Sequence, residues 1–209
     1  VFFGTGKLLS NADMVATPVP PTQSVYGIWD QGLGDTVTDS LPNSQLVLQN
    51  IVTIQDVRTL SPDTSACLGS AETAELSTSL RLIPNQNSPI WTAGENRGWR
   101  VDLPRAGERV LGSVQVRAER VQFVTTNPLD MSDKSEDPEA GSWMMQLDIE
   151  TGASPLLAPK RRALFDLNKN CSLDRGDAVA YAATQESEPV DYFPLGINLG
   201  AFHIAQPAF

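Results

Sequence analysis

The feature that most constrains this chain is the rhythm of its apolar residues, which recur at every second position in short runs broken by glycine and proline. A period of two sends successive side chains to opposite faces of an extended backbone, so the pattern specifies strands and not helices. Phe2 and Phe3 open one such run, ended by Gly4-Thr5-Gly6. Val25 to Trp29 is a second, closed by Asp30 and the glycines at 32 and 34. Gln45 to Val57 is a longer β-branched run, and Trp99, Val101 and Leu103 alternate with Arg100 and Asp102. Val110 to Thr126 contains two more strands, and Met144 to Ile149 another. Helices are scarce. Leu8 to Ala16 reads as one or two turns capped by Ser10 or Asn11, and Asp177 to Thr184 reads equally as a short helix behind an acidic cap or as a strand. Thr59 to Ser79 and Asn127 to Ser142 read as surface loops, the second carrying Asp133, Glu136, Asp137 and Glu139 as solvated charge. The chain is expected to be mainly β.

Composition then removes several functional classes. A chain of 209 residues with 41% hydrophobic and 19% charged positions can bury a core, so a wholly disordered protein is excluded. No apolar run approaches the roughly 20 residues that span a bilayer, so no membrane-spanning helix is expected. The net charge of −10 repels phosphate backbones and argues against nucleic acid as a partner. The lone histidine, His203, leaves no multi-histidine metal site and argues against a histidine-based triad. The opening Val1-Phe2-Phe3-Gly4 looks like the middle of a strand, and the chain is expected to be excised from a longer protein. Cys67 and Cys171 lack the Cys-x-x-Cys spacing of zinc or redox sites. They fit one disulfide of an exported protein or two buried thiols, and spacing does not choose between these.

Two segments share a pattern. Gly98-Trp99-Arg100-Val101-Asp102-Leu103 and Ser142-Trp143-Met144-Met145-Gln146-Leu147-Asp148 each place Trp at the start of an alternating strand. The second continues through Ile149-Glu150-Thr151-Gly152. Its ending predicts a tight turn in which Asp148 bonds the turn backbone, Thr151 supports it and Gly152 supplies a positive φ. The string resembles the repeat of quinoprotein-like β-propellers, built from four-stranded blades. At roughly 40–50 residues per blade, this chain supplies about four or five. Trp99 and Trp143 are expected to fill the gaps between blades, and the repeat alone does not imply a quinone.

Residues 166 to 177 read Asp-Leu-Asn-Lys-Asn-Cys-Ser-Leu-Asp-Arg-Gly-Asp. Oxygen-bearing side chains fall at the first, third, fifth and ninth positions, namely Asp166, Asn168, Asn170 and Asp174. Ser172 can offer its carbonyl at the seventh position, and Asp177 occupies the twelfth. A calcium loop of the EF-hand type uses these positions, because alternate residues of a curled segment converge on one hard cation. Phe165 and Leu173 are expected to pack the loop onto the fold. Cys171 stands where a glycine is expected, and two ligands are neutral Asn, which predicts weak to moderate affinity. The competing reading is an Asx-rich turn without metal. Arg175-Gly176-Asp177 also spells an integrin-recognition tripeptide, which in three residues is readily coincidental.

Taken in order, these strings resemble the C-terminal propeller domain of the PilY/PilC family, the tip-associated adhesin and assembly factors of bacterial type IV pili. The match rests on Val1 to Lys7, Gln23 to Asp30, Gly98 to Pro104 with Gly107 to Val110, Trp143 to Gly152, and the Asp-x-Asn-x-Asn-x-x-x-Asp loop. It extends from residue 1 to about residue 200. The resemblance implies that residues 1–209 form part of a single modified β-propeller carrying one calcium loop, with Asp166, Asn168, Asn170, Ser172 and Asp174 as ligands. It implies a non-enzymatic module that influences pilus extension, retraction and surface attachment. Its partners would be pilins and host-cell or surface receptors, in the periplasm, at the outer surface or at the pilus tip of a Gram-negative bacterium. Two alternatives stay open: a quinone-dependent dehydrogenase on the same repeat, and a metal-free propeller that serves as a protein-binding platform. No convergent Arg, Trp and carboxylate set is evident for a quinone.

Overall fold

The computed structural model describes residues 1–6, 21–30, 41–59, 76–84, 87–92, 95–128, 140–154, 163–168, 171–184 and 186–200. Among them the chain is mainly β, and its strands assemble into sheets of four, seven and two strands. No closed barrel or propeller is identified among these residues. Among the described residues, no helix is long and apolar enough to cross a membrane.

The four-stranded sheet contains β1 (Phe2–Gly4), β2 (Ser24–Ile28), β3 (Leu46–Asn50) and β6 (Gly98–Asp102), in the order β1-β2-β6-β3. β2 pairs antiparallel with both β1 and β6, whereas β3 lies parallel to β6. The seven-stranded sheet runs β4 (Val52–Thr59), β5 (Leu76–Leu82), β13 (Gly196–Asn198), β10 (Ser142–Asp148), β9 (Arg120–Thr126) and β7 (Arg109–Val110), and β8 (Gln115–Arg117) also pairs with β9. β11 (Val179–Tyr181) and β12 (Val190–Tyr192) form a separate hairpin pair.

Alternation accounts for most of this. In β10, Trp143, Met145 and Leu147 are fully buried on one face, and in β9 Val121 and Phe123 are buried across from them. These residues join Val25, Trp99 and Val101 of the other sheet in one hydrophobic cluster, so a single core spans both large sheets.

Two expectations change and one open choice is decided. The run from Gln45 to Val57 is not one strand. It breaks at Ile51, which packs against the core while the chain passes from β3 in one sheet to β4 in the other. The stretch read as a loop from Thr59 to Ser79 ends inside β5, because Ser79, Leu80, Arg81 and Leu82 are buried on both faces and therefore lack the polar alternation of a half-exposed strand. Asp177 closes a 3-10 turn of Arg175–Asp177, and β11 follows it, so the strand alternative holds there. Residues 8–16 and the acidic positions 133–139 lie outside the described residues.

The two Trp-led segments lie in different sheets. Trp99 is fully buried, and an added Cβ at Gly27 or at Gly152 would come within 2.2 or 2.4 Å of its ring. The indole thus lies between a glycine of its own sheet and the glycine of the turn that follows β10. Its Nε1 donates to the Ile149 carbonyl at 3.1 Å. Trp99 therefore fills the gap between the two sheets. The turn is as the sequence predicts: Asp148 Oδ1 accepts from the backbone of Glu150 and Thr151 and from the Thr151 hydroxyl, and Gly152 has φ +69°. Gln49, buried in β3, donates to the Thr151 carbonyl at 2.8 Å and adds a second polar tie to the same turn.

Candidate functional site

The loop that begins at Asp166 is anchored by apolar neighbours. Ala163, Leu164 and Leu167 are buried, and Phe165 packs against the core. Leu173 does not share this role, since its side chain is 51% exposed. Leu167 takes the anchoring place that Leu173 was expected to hold.

Within the loop, Cys171 has φ +66°, the left-handed conformation for which glycine is the usual residue. The backbone therefore makes the sharp turn of a calcium loop at its sixth position without a glycine. Cys171 N donates to Asp166 Oδ2 at 2.9 Å, which curls the loop back over its first residue. An added Cβ at Gly176 would meet Asn168 Nδ2 at 2.6 Å and Asp174 Oδ1 at 2.9 Å, so the third and ninth positions crowd together above this glycine. Asp166, Asn168 and Asp174 carry side-chain oxygens of the kind a calcium-type cation takes, although the Asn168 atom beside Gly176 is its amide nitrogen. Ser172 is exposed at the seventh position, and Asn170 lies outside the described residues.

Asp177 behaves differently from a twelfth-position ligand. It is fully buried, and its carboxylate accepts from three backbone amides. Leu167 N and Asn168 N donate to Oδ1 at 2.7 and 3.3 Å, and Asp174 N donates to Oδ2 at 3.0 Å. The Asp174 side chain in turn accepts from Gly176 N at 2.7 Å and from the Asp177 backbone amide, so Asp174 and Asp177 form a reciprocal capping box around the 3-10 turn. Asp177 is the clasp that joins the two ends of the loop. Asp166 and Asp174, the other two carboxylates of the loop, accept from the Cys171 and Gly176 amides. Among the described residues, no three His, Cys, Asp or Glu side chains converge as a metal-holding group.

The same geometry bears on Arg175-Gly176-Asp177. The Arg175 side chain is 88% exposed and lies 3.5 Å from Asp191 of β12. The Asp177 carboxylate faces inward, so in this conformation the tripeptide presents its cation to the surface without its anion. Cys171 is disulfide-bonded. The other cysteine of the sequence, Cys67, lies outside the described residues.

Away from the loop, the core holds a charged cluster that the alternation pattern did not reveal. Arg81 of β5 is fully buried, and its Nη1 and Nη2 donate to the two Glu108 carboxylate oxygens at 2.6 and 2.8 Å. Thr125 of β9 donates its hydroxyl to the same carboxylate. The guanidinium stacks 3.8 Å from the centre of the Trp143 ring. The signal was present as an arginine inside Ser79-Leu80-Arg81-Leu82-Ile83, a charge embedded in an apolar run. Its partner 27 positions later could not be picked from the other acids.

Compared with protein families, characterised proteins and solved structures, the chain matches none of them.

Proposed function

We propose that this chain is a non-enzymatic, exported module of the type IV pilus machinery, a PilY/PilC-like partial β-propeller whose loop at 166–177 responds to calcium. The observation that carries the reading is the left-handed turn at Cys171 with its amide on Asp166, the backbone form that a calcium loop needs at its sixth position. The ordered family-like strings support it, as does Trp99 seated between Gly27 and Gly152 at the junction of two sheets. In this reading Asp166, Asn168, Asn170, Asp174 and the Ser172 carbonyl hold the cation. Calcium supplies positive charge that offsets the repulsion between Asp166 and Asp174 and so stiffens the loop. The ordered loop edge then favours contact with pilus components, pilins first, and through them with host-cell or other surfaces. Cys67 and Cys171, the two cysteines of the chain, pair in a disulfide in this reading, in keeping with an oxidising compartment. Nothing in the reading calls for a quinone.

The metal-free protein-binding platform is the second reading, and Asp177 favours it, because its three amide bonds close the loop without a cation. Binding of the chain to purified pili, with calcium and with chelator, separates the two. The calcium-responsive reading expects binding that chelator weakens and that Asp174→Ala weakens to the same extent, with no further effect of chelator, in a variant with unchanged circular dichroism. Pilus binding that is indifferent to both treatments assigns the platform instead, and no binding under any condition sinks the pilus reading.

A further inference from the structure

Beside the ends of β1 and β2 a cavity of about 480 Å³ opens to the surface. Trp99 lies beneath it, fully buried between Gly27 and Gly152, and offers no ring face to the opening. The accessible aromatic wall is built by Trp29, half-buried, and Trp91, 37% exposed. These two indoles meet edge to face, with ring centres 5.9 Å apart and planes at 84°, so they form a right-angled corner. The lining carries charge of both signs. Asp30 has a partner of its own within the protein, Glu150 is exposed, and the Val1 ammonium donates to the Ile28 carbonyl at 2.7 Å. With Asp30 engaged, one carboxylate and one ammonium remain beside the aromatic corner, and no strong field of either sign selects an ion.

We propose that this cavity binds a neutral sugar, a pyranose ring stacked on the Trp29–Trp91 corner. An anion meets Glu150 and a chain of net charge −10, and a cation meets the Val1 ammonium. An apolar molecule covers both charged groups and returns no hydrogen bonds to them. A pyranose in its chair form matches both parts of the lining. Its axial C–H bonds make one face apolar and slightly positive, which suits the electron-rich face of an indole. Its equatorial hydroxyls run outward from that face, where they donate to the Glu150 carboxylate and accept from the Val1 ammonium. The volume is that of a small-molecule site and holds a ring of this size. The site is independent of the loop at 166–177 and of the pilus reading.

Methyl β-D-glucopyranoside and methyl β-D-galactopyranoside are the probes, and saturation-transfer NMR reads their binding from the ligand protons. The expected result is saturable binding of at least one of them, with a dissociation constant of about 10⁻³ M. Transfer should be strongest to the axial C–H protons of one ring face, and a neutral ligand should bind alike in low and high salt. Cyclohexylmethanol keeps the six-membered ring without its ring of hydroxyls and is expected to bind several-fold more weakly. Trp91→Ala removes one wall of the corner from a partly exposed position and is expected to weaken the glycoside by about tenfold. Glu150→Gln keeps the shape and the backbone bond to Asp148, and is expected to weaken the glycoside several-fold through the loss of a charged acceptor. No saturable transfer to either glycoside, tighter binding of cyclohexylmethanol than of both, or glycoside binding unchanged by both substitutions would each overturn the proposal.

Discussion

Glu108→Ala is expected to lower the stability of the fold by about 3–5 kcal/mol, the cost of leaving a buried ion without its partner. The carboxylate receives both guanidinium nitrogens of Arg81 and the Thr125 hydroxyl, and Glu108 and Arg81 are 1% and 0% exposed. Removing it strands a cation against Trp143, with Arg81 Nε already lacking a hydrogen-bond partner among the described residues. The pair joins β5 to the segment entering β7, and through Thr125 to β9, so its loss loosens the seven-stranded sheet across several strands. Urea unfolding followed by tryptophan fluorescence measures the effect. The companion variant Arg81→Met/Glu108→Leu removes both charges and fills the space. It is expected to recover most of the loss, because apolar replacement of a buried pair is often neutral or stabilising. A single variant within about 1 kcal/mol of wild type would mean that water reaches the cluster and that the pair behaves as a surface bridge.

Trp99→Ala is expected to cost about 3–5 kcal/mol, as for other large-to-small changes of buried aromatics. The indole is the shared filling between Gly27 and Gly152, and its Nε1 bond to Ile149 ties the four-stranded sheet to the turn after β10. Gly152→Ala attacks the same junction from the other side. It places a Cβ within 2.4 Å of the ring at a residue whose φ is +69°. In the wild-type background both the clash and the backbone penalty are felt. In the Trp99→Ala background the clash is gone, and the expected cost falls to roughly 1–2 kcal/mol, the left-handed penalty alone. A thermodynamic cycle on the two positions should therefore show strong coupling. Additive costs would show that the ring does not bear on the turn.

Much of the fold was legible in the residues because strands leave a local record. The runs at Val25, Trp99 and Met144 alternate, and the structure places β2, β6 and β10 there. The Asp148-Thr151-Gly152 turn was equally legible, since each side chain acts within a few positions of itself. The break at Ile51 was not, because the run stays strand-like through it and partners in two different sheets decide where it divides. The parallel pairing of β3 with β6 likewise depends on distant partners. In the loop, the spacing of oxygen side chains could be read directly, but their roles could not. Asp177 occupies a ligand position by count and serves instead as an amide acceptor, a choice made by Leu167, Asn168 and Asp174 folding around it. Cys171 stood as a departure from the glycine pattern, yet its backbone takes the conformation that glycine would have supplied.

Calorimetric titration with calcium, wild type beside Asp166→Ala/Asp174→Ala, tests the central claim most directly. Two charged ligands and neutral partners predict a single site with a dissociation constant of about 10⁻⁴–10⁻³ M, in the range of extracellular calcium modules. The account predicts saturable one-site heat in the wild type that disappears in the double variant, with the β-sheet circular dichroism of both proteins alike. No heat at millimolar calcium, or the same isotherm in both proteins, would contradict it and reduce residues 166–177 to a turn held shut by Asp177.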